Sequence, residues 1–276
     1  MRLTVITPQA LTCDYCNLPF YWTHDSMNNT DLPDHLRLNA IVNTVVGNNP
    51  IDHSADLATW IKVGLKQIDL IIDEADELKA GVNVFTTGSD TDRLKAFTEI
   101  RDGVADVIVT LDGLVHRLAL PFPIDLTAGD PAPSSVLEVE FLMDRLEKIR
   151  DAIENIDGVN VLPDMLDALV AEAYAATYRI AEAYKIDVAV DQVAVYESNM
   201  SKFDLDKQTA LAGVEKYARL GVVVDIHEIP TEENGETFTY YVLKSSYDQT
   251  GIDGKSYPGG KFLKSVHYRE PVFQAL

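Results

Sequence analysis

Residues 69–81, DLIIDEADELKAG, and residues 99–111, EIRDGVADVIVTL, hold five acids at helical spacing: Glu74, Glu77, Glu99, Asp102 and Asp106. Steps of three and four residues put each set along one face of a helix. Antiparallel packing of the two helices would bring the sets together. Ionised carboxylates sharing a cleft repel and raise one another's pKa. A divalent cation removes that conflict, and an all-oxygen donor set favours Mg²⁺ or Mn²⁺ over zinc. Such an ion belongs with phosphate-bearing substrates, whose oxygens carboxylates alone would repel. The competing reading is a solvated acidic face, which a chain with 44 acidic residues offers in many places.

The elements that must position these acids follow from the apolar period. After Pro33, Leu36, Ile41, Val45 and Val46 form one helical stripe that Gly47 ends. From about Asp56 to Lys79, Leu57, Trp60, Ile61, Leu65, Ile68, Ile71, Ile72 and Leu78 recur at threes and fours, with Gly64 a mild penalty inside and Asn83 and Gly88 beyond the end. A third helix runs from about Asp92 through Val115, with Leu94, Phe97, Ile100, Val104, Val107, Ile108 and Leu111 on its apolar side. The run VADVIVTL alone would pass as a strand, but only a helix puts Glu99, Asp102 and Asp106 on one face.

Residues 121–135 read as a linker, with prolines at 121, 123, 131 and 133. Residues 136–221 return to helical periodicity, one segment being opened by Pro163, and the last, KQTALAGVEKYARLG, ends at Gly221. This second half echoes the first weakly, with Arg150 in the place of Glu77 and Ala171 in the place of Asp106, so an internal duplication with one degenerate copy is expected. Residues 222–276 change to β-prone runs split by glycine-rich turns, including an Asn-Gly pair, and read as a small antiparallel appendage. The organisation expected is thus an extension over 1–33, a helical unit over 34–120, the linker, a second unit over 136–221 and the β-rich tail. The fold class is all-α.

A net charge of -21 argues against a protein that tracks a nucleic-acid backbone, which needs a basic footprint. No stretch is long and apolar enough to span a membrane, and the start has no secretory pattern, so a cytoplasmic location is expected. Cys13 and Cys16 are spaced as in a CxxC motif, yet no second pair completes a zinc site, and His24 and His35 are poor substitutes. They read as two reduced thiols. Phe20, Tyr21 and Trp22 either plug the end of the bundle or stack on a base whose edge Asn28 or Asn29 reads.

Taken together, DEADELKAG at 73–81, ADVIVTLDG at 105–113, VAVYESNMSKFD at 193–204 and GKSYPGGKFLKS at 254–265 resemble the all-α nucleoside triphosphate pyrophosphohydrolases. That superfamily includes MazG, phosphoribosyl-ATP pyrophosphohydrolase and the dimeric dUTPases, and the likeness is to its bacteriophage-type members. The resemblance spans about residues 35–270 and implies a MazG-like helical bundle with Mg²⁺ held by Glu74, Glu77 and Asp106. The acid usually found three residues before the aspartate is replaced by Gly103, which leaves Asp102 and Glu99 as the nearest ligands. It further implies attack of a metal-activated water at the α-phosphate of a deoxynucleoside triphosphate, releasing pyrophosphate and the monophosphate. Asn199 and Lys202 would meet the sugar or phosphates, and Lys261 and Lys264 would close over them. Lysines suit that task as flexible point charges. Asp69 and Asp73 read as solvent-facing or as supporting the ligands.

Single-copy relatives build such sites between subunits, so the resemblance implies either a homodimer or one chain that supplies both sides. A phage-encoded member would work in the host cytoplasm. The alternative function is a catalytically inactive nucleotide-binding or sensor module on the same fold.

Overall fold

In the computed structural model, which describes residues 34–52, 55–120, 132–156, 163–233 and 236–274, helices form wherever the apolar period is helical. They are α1 (Asp34–Val45), α2 (Leu57–Thr87), α3 (Asp90–Leu118), α4 (Ser135–Glu154), α5 (Pro163–Ala183), α6 (Val188–Met200) and α7 (Lys207–Ala218). The strands β1 (Val224–Glu233) and β2 (Glu236–Ser245) make one antiparallel pair, and β3 (Gln249–Thr250) and β4 (Ser256–Tyr257) make a second. The described residues are therefore an all-α bundle with a small β appendage. Cys13, Cys16, His24, the Phe20–Tyr21–Trp22 cluster, Asn28, Asn29, most of the linker and the Asn234–Gly235 pair lie outside them.

Local chemistry sets the helix ends. The Asp56 side chain accepts from the Thr59 N–H at 2.7 Å and starts α2. The sequence-based stop near Lys79 is too early. Asn83 lies inside the helix, Val82 is buried, and α2 ends only where the Gly88 N–H donates to the Val84 carbonyl at 2.7 Å. Ser89 and Asp92 form a reciprocal capping box, so α3 begins two residues ahead of Asp92. Its β-branched run stays helical because Val107 and Ile108 are both fully buried in the bundle. Leu94, by contrast, is 75% exposed and leaves the predicted apolar stripe.

Pairwise contacts fix the helix directions. Leu78 abuts Gly103, the Gln67 amide donates to the Thr110 carbonyl at 3.0 Å, and the Phe85 and Phe97 rings lie 6.3 Å apart, so α2 and α3 are antiparallel. Lys79 meets Glu140 at 3.0 Å and Asp69 meets Arg150 at 3.3 Å, which makes α4 antiparallel to α2. Arg145 meets Glu172 at 3.0 Å while Arg179 Nε meets Glu138 at 2.7 Å, so α5 is antiparallel to α4. It follows that α3 and α4 run in the same direction, and α4 starts at the end of the bundle opposite to where α3 stops. Gly64 lies where Ile153 and Leu118, the final turns of both, converge.

At the centre of the bundle stands a carboxylate that sequence reading did not single out. Asp112 is fully buried, accepting from Tyr174 Oη at 2.5 Å and Asn39 Nδ2 at 2.7 Å and pairing with His35 Nδ1 at 2.8 Å. His35 Nε2 meets Tyr178 Oη at 2.9 Å, and Asn39 Nδ2 also reaches Gln192 Oε1 at 3.2 Å. Gln192 donates in turn to the Ala105 carbonyl at 2.9 Å. One network thereby ties α1, α3, α5 and α6. The buried Arg101–Asp191 pair, with bonds of 2.8 and 2.5 Å, fastens α6 to α3 a second time.

The β hairpin is built into this scaffold. Tyr240 and Val242 pack with Val45, Val46 and Phe203, while Leu243 packs with Ala210 and Tyr217. Lys244 reaches the Val46 carbonyl at 3.0 Å. No helix among the described residues is long and apolar enough to cross a membrane.

Gly103 is where α2 and α3 come closest. A Cβ there would stand 2.9 Å from Leu78 Cβ and 3.0 Å from Leu78 Cα, and backbone cannot yield as a flexible side chain can. Gly103→Ala is therefore expected to destabilise the fold by about 1–3 kcal/mol, despite the better helix propensity of alanine. Urea unfolding of the variant beside the parent checks this, and an unchanged or raised midpoint would contradict it.

Candidate functional site

The α2–α3 contact decides which acids meet. With Leu78 against Gly103, the flank of α2 that carries Glu74 and Glu77 lies beside the flank of α3 that carries Asp102 and Asp106. Glu74, Asp102 and Asp106 are half-buried, whereas Glu77 and Glu99 are exposed at the rim. Position 103 has no room for an acid, so Asp102 beside it carries the charge at this level of the helix.

The electrostatics are those of a crowded, partly dehydrated acidic cluster. Burial, followed by the charges of Glu77, Asp102 and Asp73, raises the Glu74 carboxyl to about 7. Burial, then Asp102 and Glu74, raises Asp106 to about 8. Asp102 is raised by burial and then by Glu99, Glu270 and Glu77. Lys202 pulls all three in the opposite direction, so it belongs to the same cluster. All five predicted acids thus share one electrostatic neighbourhood.

Lys202 arrives from the turn that follows α6. Asp187 caps that helix through the Val190 N–H, and the Ser201 N–H closes its far end on the Glu197 carbonyl. Docking of α6 on α3 through Arg101 and Gln192 then carries Lys202 toward Asp106. The Lys202 ammonium donates to Asn199 Oδ1 at 2.6 Å, which joins the predicted Asn199 to the site. Burial lowers its pKa first, and the neighbouring Lys264 charge lowers it further. Lys264 therefore also joins the cluster. Lys261 has an exposed side chain, and its carbonyl accepts from the Ser245 N–H at 3.0 Å. Asp69 is paired with Arg150, and Asp73 is exposed beside Glu74.

Two further residues surround the site without having been read from the sequence. Tyr268 Oη donates to Glu270 Oε2 at 2.6 Å, and Lys264 meets Glu270 Oε1 at 3.1 Å. The Lys264 ammonium lies 4.0 Å from the Tyr268 ring centroid and the Lys202 ammonium 5.9 Å. The available signal was HYRE at 267–270, directly after the lysine-bearing stretch.

A hard cation suits this donor chemistry, since the acids are oxygen ligands whose mutual repulsion it would relieve. Among the described residues no three Asp, Glu, His or Cys side chains converge as a ready cage for one ion. Mg²⁺ does not require such a cage, because it keeps waters and is bound through one or two carboxylates plus substrate phosphates. His35, considered earlier as a metal ligand, is committed to Asp112 and Tyr178.

No family model, no curated protein and no solved structure matches the chain.

The raised carboxyls give stability a definite pH dependence. Between the ordinary values, 4.5 for Glu74 and 3.8 for Asp106, and their folded values of about 7 and about 8, the folded chain binds more protons than the unfolded one. Stability must then fall as pH rises through that window. In chelator, the urea midpoint is expected to drop between pH 5 and pH 8, and Asp106→Asn should flatten the slope. A midpoint that climbs over the same range would contradict the assignment of Asp106.

Proposed function

We propose that this chain is a Mg²⁺-dependent nucleoside triphosphate pyrophosphohydrolase of the all-α, MazG-like type, acting on a deoxynucleoside triphosphate. The observation that carries the reading is the electrostatic coupling of Glu74, Asp102 and Asp106, from two antiparallel helices and with Glu77 beside them, to Lys202 from the turn after α6. Excess negative potential with adjacent lysines fits a cation-bridged polyphosphate better than it fits a solvated surface. A mere acidic face would leave its carboxyls in water and near their ordinary values.

When bound, Mg²⁺ supplies charge neutralisation at the phosphate oxygens and acidifies water. The residues supply position. Lys202, oriented by Asn199, and Lys264 hold phosphate oxygens, and a carboxylate of the cluster orients the attacking water and accepts its proton. The water oxygen bonds to the α-phosphorus, and the bond from that phosphorus to the α–β bridging oxygen breaks. Pyrophosphate leaves and the monophosphate remains. This chemistry needs electrostatic stabilisation and alignment rather than a covalent nucleophile, which agrees with a site made of acids and lysines.

The helical hairpins α2–α3 and α4–α5 fit an internal duplication in which only the first copy keeps an open acidic face. In the second, Glu138 is bound by Arg179, Glu172 by Arg145, and Arg150 reaches across to Asp69. The two acids of that hairpin nearest the α4–α5 contact thus each hold an arginine. We therefore assign one cation site per chain, built from acids and lysines of that chain alone.

The test is pyrophosphate release from a panel of canonical and base-modified deoxynucleoside triphosphates, in Mg²⁺ and in chelator. Release is expected only with the metal, and stepwise orthophosphate release would overturn the reading. Glu77→Gln and Asp106→Asn should each lower turnover by about 100-fold or more, the scale of removing one transition-state electrostatic contact. Asp69→Asn, outside the cluster, should change stability by no more than about 0.5 kcal/mol and leave turnover nearly intact. Nucleotide binding without turnover in the parent chain would point instead to a sensor module.

A further inference from the structure

The segment from Lys264 to Gln274 runs beside the acidic cluster, where Glu270 acts on Asp102 and Lys264 on Lys202, and is fastened on both sides of Glu270. On one side the Arg269 N–H donates to Ser201 Oγ at 3.0 Å. On the other, Arg101 Nη1 donates to the Gln274 carbonyl at 2.6 Å, and the Arg101 guanidinium sits 4.9 Å from the Phe273 ring centroid. The backbone is thus held, while the Glu270 side chain is 73% exposed and free to swing without undoing either anchor.

We propose that the Glu270 carboxylate is an internal stand-in for a phosphate group, occupying Lys264 until a polyphosphate anion displaces it. This rests on the reading of Lys202 and Lys264 as phosphate contacts. The geometry is that of an anion subsite already filled. One Glu270 oxygen takes the Lys264 ammonium at 3.1 Å and the other takes the Tyr268 hydroxyl at 2.6 Å. Tyr268 and Lys264 are also stacked at 4.0 Å, so the two donors are held as a pair independently of the anion. The charge state agrees, since the Tyr268 hydrogen bond and then Lys264 hold the Glu270 carboxyl below its ordinary value, keeping it anionic.

An exposed lysine–carboxylate contact is weak, which is what an exchangeable occupant requires. A carboxylate offers two acceptor oxygens, whereas a phosphate offers three and carries more charge. The incoming anion therefore wins Lys264 and adds Lys202, whose charge Asn199 and the nearby acids only partly satisfy. Displaced, Glu270 swings out from the acids and lifts the repulsion it exerts on Asp102. Glu270 is in this account a gate on the phosphate subsite, distinct from the acids that would hold the cation.

The experiment is calorimetric titration of the full chain with inorganic pyrophosphate in Mg²⁺ buffer. Glu270→Gln is expected to tighten pyrophosphate binding by about two- to five-fold, the range of losing one exposed competing ion pair. Glu147→Gln, an exposed charge change on α4, should leave affinity unaltered. In a Lys264→Gln background the Glu270→Gln effect should vanish. Equal or weaker binding by Glu270→Gln, or an effect that persists without Lys264, would overturn the proposal. Because binding is read without turnover, the outcome is separable from the hydrolase reading. A chain that fails to hydrolyse nucleotides but shows the tightening keeps the gate, and one that hydrolyses without it loses only the gate.

Discussion

The contact of Leu78 with Gly103 is the constraint on which the rest of the molecule depends. It sets the separation of α2 and α3, and with it the closeness of two acidic flanks that electrostatics alone would drive apart. The opposing force is apolar burial. Ile68, Ile71, Leu78, Ile100, Ile108 and Leu111 are all fully buried in the two helices, and each contributes about 1.5–3 kcal/mol. That sum outweighs the repulsion among a few half-hydrated carboxylates, so the helices close and the carboxyls of Glu74, Asp102 and Asp106 are held above their ordinary values. Strain of this kind, imposed by packing and relieved by a ligand, is common where a site is held by a rigid scaffold.

A second tier of interactions brings the positive charge. Asp112, with no exposed surface, gathers donors from α1 and α5, while Asn39 and Gln192 pass the connection on to α6. A buried carboxylate is tolerable only when its oxygens are satisfied, and here three side chains satisfy them. Arg101 works similarly from the other end of α3, clasping Asp191 with two nitrogens and the tail carbonyl with a third. Neither network touches the acidic cleft through its own chemistry. Their effect is positional: together they hold α6 at an angle that brings Lys202 to Asp106.

Periodicity made the helices legible, since long apolar stripes such as Ile68–Ile71–Leu78 have few other uses. The acids were legible because they ride on the same period, one face over. What escaped reading has physical causes. The end of α2 was missed because Asn83 and Gly88 look like breakers, whereas burial of Val82 extends the helix and Gly88 merely caps it. Asp112 was hidden because nothing local distinguishes a buried acid from an exposed one, and its partners lie as many as 77 residues away. Glu270 and Tyr268 belong to a tail whose placement depends on Arg101, a residue with no visible role until α6 is docked.

The separation of partners along the chain gives the assembly a temporal order. The hairpin of α2 and α3 is joined by two residues and forms from local contacts, the fast kind of folding event. Arg101 finds Asp191 only across 90 residues and Gln274 across 173, the slow kind. The acidic flanks are consequently complete before Lys202 or the C-terminal segment reaches them. During that interval a divalent cation would meet the acidic flanks without competition from Lys202. On the proposed function, an ion bound at that stage would serve the folding chain as a template before it served the finished one.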